Sequence, residues 1–228
     1  MVLHEATDKN LPMGRGGSAT LFKHQNKRYC ALTRHQITTA DGDPISQSNL
    51  ETVRVHATRN DGLTNIPLQS CLYEIANPEE EFHDILIFEV FSKWNASSDA
   101  PYFAELREFA SVERPASFAV GYPAIPSVMK EYHDSFLSGS IGAIHLKRAI
   151  FDCRIKGDFK TNARNLKLYQ YQPLNRIVDG MSGGAVFSLI GDLGSFEIVL
   201  DGIIVRGGSG HLYVVDSSYL VTALNHGK

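Results

Sequence analysis

The sequence predicts an all-β fold on three observations. Short segments rich in β-branched and aromatic residues recur along the whole chain. Gly, Pro, Asn or Asp bounds most of them. Helical patterns do not alternate regularly with them, which argues against a doubly wound parallel sheet.

The predicted strands are Ser18–Phe22, Tyr29–Thr33, Val53–Thr58, Ile85–Phe91, Ser117–Gly121, Ile141–His145, Lys167–Gln172, Ala185–Ile190, Glu197–Val205 and His211–Val215. Val53, Val55 and Ala57 alternate with Thr52, Arg54, His56 and Thr58, the period-2 pattern of a half-buried strand. Ile85–Phe88 is apolar at successive positions, so both of its faces are expected to be covered. Two segments read as helices, Ala100–Val112 and Ser217–Asn225. In the second, Ser217 or Ser218 supplies the cap, and Tyr219, Leu220 and Leu224 the apolar face. The polar, Pro-containing stretch Lys93–Pro115 divides the strands about equally. That suits two small β-barrels or one continuous sandwich.

Composition narrows the function. The 228 residues allow one large domain or two small ones. With 43% hydrophobic and 21% charged residues, the chain is neither disordered nor a coiled coil. No run of about 18 apolar residues exists, so no spanning helix is expected. A net charge of −3 without a basic stripe argues against nucleic-acid binding. The first residues lack a basic stretch followed by an apolar run, so no secretory signal is read there. Cys30, Cys71 and Cys153 are far apart and odd in number, which favours a reducing, cytoplasmic setting over a disulfide framework. They read as small core hydrophobes. No Cys-x-x-Cys or His-Glu-x-x-His spacing occurs, so neither a metal nor a cofactor is expected.

The strongest chemical signal is Asp179-Gly180-Met181-Ser182-Gly183-Gly184-Ala185, followed by an apolar strand. Glycines on both sides of a serine permit a tight turn and close approach of a substrate. The amides of Gly180 and Ser182 are placed to converge on a developing oxyanion. A serine hydroxyl is a weak nucleophile alone, so it needs a base, and the base needs an orienting acid. His35 follows a short apolar strand and is the candidate base. Asp84 precedes Ile85–Phe88 and is the candidate acid.

Three motifs now stand in the order His, Asp, Ser. Leu32-Thr33-Arg34-His35 is similar to the Leu-Thr-Ala-Ala-His of trypsin-like (chymotrypsin-fold) serine peptidases. His83-Asp84-Ile85-Leu86-Ile87 is similar to their Asn-Asp-Ile-Ala-Leu, and Gly180-Met181-Ser182-Gly183-Gly184 to Gly-Asp-Ser-Gly-Gly. The separations are 49 residues from His35 to Asp84 and 98 from Asp84 to Ser182. Phe118–Pro123 resembles the Val-x-x-x-Gly-x-Pro segment of the HtrA-like, bacterial branch, and Gly202–Gly208 the strand beside the substrate pocket.

The resemblance implies two antiparallel six-stranded-type β-barrels with a short C-terminal helix. The barrels would span residues 1–95 and 116–216, with a linker at 96–115 and the helix at 217–226. It implies a serine endopeptidase acting on proteins or peptides through His35, Asp84 and Ser182, with Gly180 and Ser182 as the oxyanion hole. Arg176, Arg206, Gly207 and His211 would line the substrate pocket, and their basic character would favour an acidic residue before the cleaved bond.

The chain departs from that pattern in two further places. No cysteine follows His35, so the disulfide common beside this histidine in secreted members is absent. Met181 stands where secreted trypsins carry the aspartate that pairs with the amine freed by zymogen cleavage. Regulation by a partner or an attached domain is the expectation in its place.

Two rival readings remain at this stage. Gly180-x-Ser182-x-Gly184 also matches the nucleophile elbow of an α/β-hydrolase esterase, with Asp201 and His211 or His226 downstream. An inert pseudopeptidase acting as a protein-binding module is the other.

Overall fold

The computed structural model describes residues 2–5, 13–37, 53–59, 62–74, 85–91, 103–108, 113–123, 148–160, 165–172, 178–191 and 194–226. The expected strand Ile141–His145, the candidate acid Asp84 and the pocket candidate Arg176 lie outside these residues.

The described chain is mostly strand, as the sequence predicts. Its N-terminal half comprises β1 (Val2–Glu5), β2 (Met13–Gly17), β3 (Thr20–His24), β4 (Lys27–Thr33), β5 (Val53–Arg59), β6 (Gly62–Ile66), β7 (Leu68–Glu74), β8 (Ile85–Val90) and β9 (Ala104–Glu105). Then come β10 (Ser117–Gly121), β11 (Ala149–Lys160), β12 (Asn165–Tyr171), β13 (Ala185–Ile190), β14 (Glu197–Gly208), β15 (His211–Asp216) and the helix α1 (Ser217–His226). The last six strands close into a barrel in the order β10-β11-β12-β15-β14-β13. The N-terminal half forms, among the described residues, a sheet β2-β1-β5-β6 and a sheet β7-β8-β4-β3-β9. The expected pair of barrels is therefore seen as one closed barrel plus a two-sheet half.

Two-faced strands hold the halves together. Along β8, Leu86, Phe88 and Val90 join Cys30 and Leu32 of β4 and Val53 and Val55 of β5 in a core between the N-terminal sheets. The alternate residues Ile85 and Ile87 turn to the other side. There they meet Leu200, Ile203 and Val205 of β14, and Leu220 and Val221 of α1. Phe22 and Tyr29 stack at 5.5 Å in the same core. Each such side chain contributes about 1.5–3 kcal/mol when fully buried, so this shared core is the main bond between the halves.

Two local expectations are corrected. Residues 103–108 are not helical. Ala104 and Glu105 pair in parallel with Phe22 and Lys23, and the Leu106 amide donates to the Lys23 carbonyl at 2.7 Å. Phe103 and Leu106 are buried at a helix-compatible spacing, but the open edge of β3 takes the backbone hydrogen bonds. At α1 the cap is Asp216 rather than either serine: its Oδ1 accepts from the Ser218 amide at 2.7 Å.

The barrel interior contains a charge cluster that no sequence motif announces. Asp201 is fully buried on β14. It accepts from Arg114 Nε at 2.7 Å, Lys167 Nζ at 2.7 Å, Ser188 Oγ at 2.6 Å, and the Tyr169 hydroxyl. Burial alone would push its carboxyl up. Hydrogen bonds and charge from Arg114 and Lys167, with the Ser188 hydroxyl, outweigh burial and bring it down to about 2.

Asp201→Asn should cost about 3–5 kcal/mol in urea denaturation, because it removes the buried counter-charge that Arg114 and Lys167 share, although Lys167 keeps its second carboxylate, Asp216. The carboxyl lies below its ordinary 3.8, so its contribution is complete above that value and fades as pH falls toward 2. Acid titration of the wild type should lose stability in that window, and the Asn variant should lack that loss. The three cysteines are free, and burial pushes the Cys30 and Cys153 thiols up to about 12. Iodoacetamide on the folded chain should modify Cys71 alone, as peptide mass mapping would read it.

Candidate active site

The candidate nucleophile sits in a turn between Val178 and β13. Gly180 and Gly183 both take left-handed backbone, with φ of 81° and 80°. At Gly183 an added Cβ would stand 2.1 Å from the Ser18 carbonyl oxygen. Only glycine meets both demands there.

Every carbonyl from Gly180 to Gly184 is engaged. Gly180 O accepts from the Ser18 hydroxyl at 2.7 Å, and Gly183 O from the Thr20 hydroxyl at 2.8 Å. Met181 O accepts from the Gly184 amide and Gly184 O from the Ile204 amide, both at 2.8 Å. Ser182 O has both lone pairs filled, by the Ser18 amide at 3.1 Å and by Gln36 Nε2. The amides of Met181 and Gly183 are taken as well, by Val178 O at 2.9 Å and Ile204 O at 2.8 Å. Among the described residues, the amides of Gly180 and Ser182 alone in this turn donate to no backbone carbonyl. They are the pair the sequence nominates for an oxyanion.

Met181 anchors the turn from beneath. Its side chain is fully buried in the barrel core with Ala119, Val186 and Ile204. It holds by packing the position where the resemblance leads one to expect an aspartate.

The candidate base lies on a 3-10 turn, Arg34–Gln36, directly after β4. The His35 side chain is exposed, and its Nε2 stands 3.5 Å from the Thr33 hydroxyl. Ser182 is half-buried. Ser18, expected at the start of the first strand, is fully buried; its hydroxyl also accepts from the Tyr122 amide at 2.8 Å. Gln36 escaped the sequence reading altogether. Its signal was present: Thr33-x-x-Gln36 is a capping box, and the Thr33 amide donates to Gln36 Oε1 at 3.0 Å.

The pocket candidates divide between two faces of the β14–β15 hairpin. Arg206 pairs with Tyr213 and Gly208 with His211, so Arg206 and His211 share a face. Gly207 pairs with the buried Leu212 on the opposite face, where Val178 also packs close. Asp201, the acid of the esterase rival, is sealed in the barrel, and Ser182 leads into a strand rather than a helix. The all-β architecture overturns that rival.

No protein-family model matches the chain, and no curated protein matches it in sequence. Solved structures match in fold. One is a thermostable serine protease, AL20, from an extremophilic microorganism, with a TM-score of 0.55 at 12% identity, covering 96% of this chain and 92% of that one. Another is HBP, solved at atomic resolution, with a TM-score of 0.55 at 11% identity, covering 98% of this chain and 96% of that one. The fold is chymotrypsin-like. In that chymotrypsin-like frame the Gly180–Gly184 turn and the His35 turn come from opposite halves.

Gly183→Ala should destabilise the chain more than Gly194→Ala in urea denaturation. Gly194 has a φ of 103° but open space around an added Cβ, so it bears only backbone strain, about 1–3 kcal/mol. Gly183 adds a direct collision with the Ser18 carbonyl. Equal losses would mean that the turn is not clamped.

Proposed function

We propose that the protein is a serine endopeptidase that cleaves protein or peptide substrates by acyl transfer to Ser182. The observation that carries this reading is the pair of amides, Gly180 and Ser182, that donate to no backbone carbonyl among the described residues, in a turn whose carbonyls are all engaged. Preorganised donors of this kind stabilise a tetrahedral oxyanion by about 3–4 kcal/mol each. In the proposed mechanism His35 takes the serine proton and returns it to the leaving amine. Asp84 fixes the His35 tautomer and stabilises its cation. The chain needs no cofactor for these steps.

The finer parts of the reading are also proposals. Arg206 and His211, on one face of the β14–β15 hairpin, together with Arg176, select an acidic residue before the cleaved bond. A cytoplasmic setting, kinship with the HtrA-like bacterial branch and control by a partner protein complete it. Met181 supports the last point: the residue just before Ser182 is no carboxylate to be switched by a freed amine. Among the described residues no helix is long and apolar enough to cross a membrane. The exposed His35 ring beside the Thr33 hydroxyl supports a second reading, an inert module that binds protein.

Intact mass after incubation with a fluorophosphonate probe tests the proposal. One adduct on the wild type and none on Ser182→Ala is the expected result, with His35→Ala slowed by a factor of at least 100. A wild type that stays unlabelled alone and with cell extract would favour the inert module. A peptide library preferring Lys or Arg before the cleaved bond would remove the proposed acidic specificity.

A further inference from the structure

Gln36 is buried, at 5% exposure, between the turn that carries the candidate base and the turn that carries the candidate nucleophile. Three of the four hydrogen-bonding valences of its amide are used. Oε1 accepts from the Thr33 amide at 3.0 Å, on its own turn. Nε2 donates to the Ser18 carbonyl at 3.0 Å and to the Ser182 carbonyl. The surroundings are shaped to admit it. Gly17, at φ 137°, would place a Cβ 2.4 Å from Gln36 Nε2, and a Cβ on Gly183 would lie 3.1 Å from Oε1. Gln36 follows His35 directly in the chain.

We infer that Gln36 is a positioning residue: its amide fixes the spacing between the His35 turn and the Ser182 backbone. The inference rests on the peptidase reading of Ser182 and His35. The physical argument concerns reach. His35 belongs to the N-terminal half and Ser182 to the barrel, and a misplacement of about 1 Å at such a pair costs on the order of 100-fold in rate. The shared apolar core sets the halves against each other broadly. Apolar contacts are non-directional, whereas a planar amide with three filled valences fixes both distance and angle.

The test uses the full chain with Gln36→Met, which keeps length and apolar bulk but removes all three hydrogen bonds. Gln36→Glu is the second variant; it keeps the acceptor for Thr33 and loses both donors. Ser188→Ala, in the remote Asp201 cluster, controls for lost stability. Fluorophosphonate inactivation is followed to completion, which separates the rate constant of the bound complex, the probe affinity and the final stoichiometry. In both Gln36 variants the rate constant should fall at least 10-fold, with affinity and stoichiometry unchanged. Ser188→Ala should keep the wild-type rate constant. Lower stoichiometry at an unchanged rate constant would make Gln36 merely structural and overturn the inference. Amide exchange of the Thr33 and Ser18 amides, read on the same samples, covers a wild type that does not label. Exchange at both sites should rise at least 10-fold in Gln36→Met. Faster exchange at Thr33 alone would overturn the inference, whatever the fate of the peptidase reading.

Discussion

The structure turns on one carbonyl. Ser182 O accepts two hydrogen bonds, one from the Ser18 amide and one from the Gln36 side chain, and both donors belong to the other half of the molecule. Each such bond contributes only about 0.5–1.5 kcal/mol net. Their worth is directional. With the Ser18 and Thr20 hydroxyls on Gly180 O and Gly183 O, they engage the turn from one side while the Ile204 main chain holds it from the other. What is left over, two amides facing no carbonyl among the described residues, follows from that accounting.

The larger architecture makes this clamp possible. Strand β8 sends Ile85 and Ile87 to one core and Leu86 and Phe88 to another, so a single sheet serves both the N-terminal half and the junction with the barrel. Strand β14 works the same way from the other side: Leu200, Ile203 and Val205 face the junction and Ile204 the barrel. Met181 then fastens the turn to the barrel core without charge. Among the described residues the one fully buried charged group, Asp201, is compensated by Arg114 and Lys167 and stands apart from this turn as a structural cluster.

Much of this was legible in the residues. Period-2 alternation located β5, and the unbroken apolar run of β8 correctly signalled burial on both faces. The glycines around Ser182 announced a turn that only glycine permits. The rest depended on partners distant in sequence. Phe103 and Leu106 carry helical spacing, yet the edge of β3 captures their backbone. Asp201 looks like any acid until Arg114, Lys167 and Tyr169 meet it from three other segments. Gln36 is modest in sequence, since a capping box accounts for its acceptor alone; its two donors act across 18 and 146 residues. Arg206 and Gly207 are neighbours in the chain, and the strand pleat sends them to opposite faces.

Residue-resolved amide exchange of the intact protein tests the clamp most directly. The Ser18 and Gly183 amides should exchange only with global unfolding, as slowly as the cores of β4 and β14. Those of Gly180 and Ser182, with no backbone carbonyl partner among the described residues, should exchange orders of magnitude faster. A Ser18 amide that exchanges freely while β4 stays protected would show that the halves are not joined at Ser182. Protection at Gly180 and Ser182 would show that the proposed oxyanion donors are already spent.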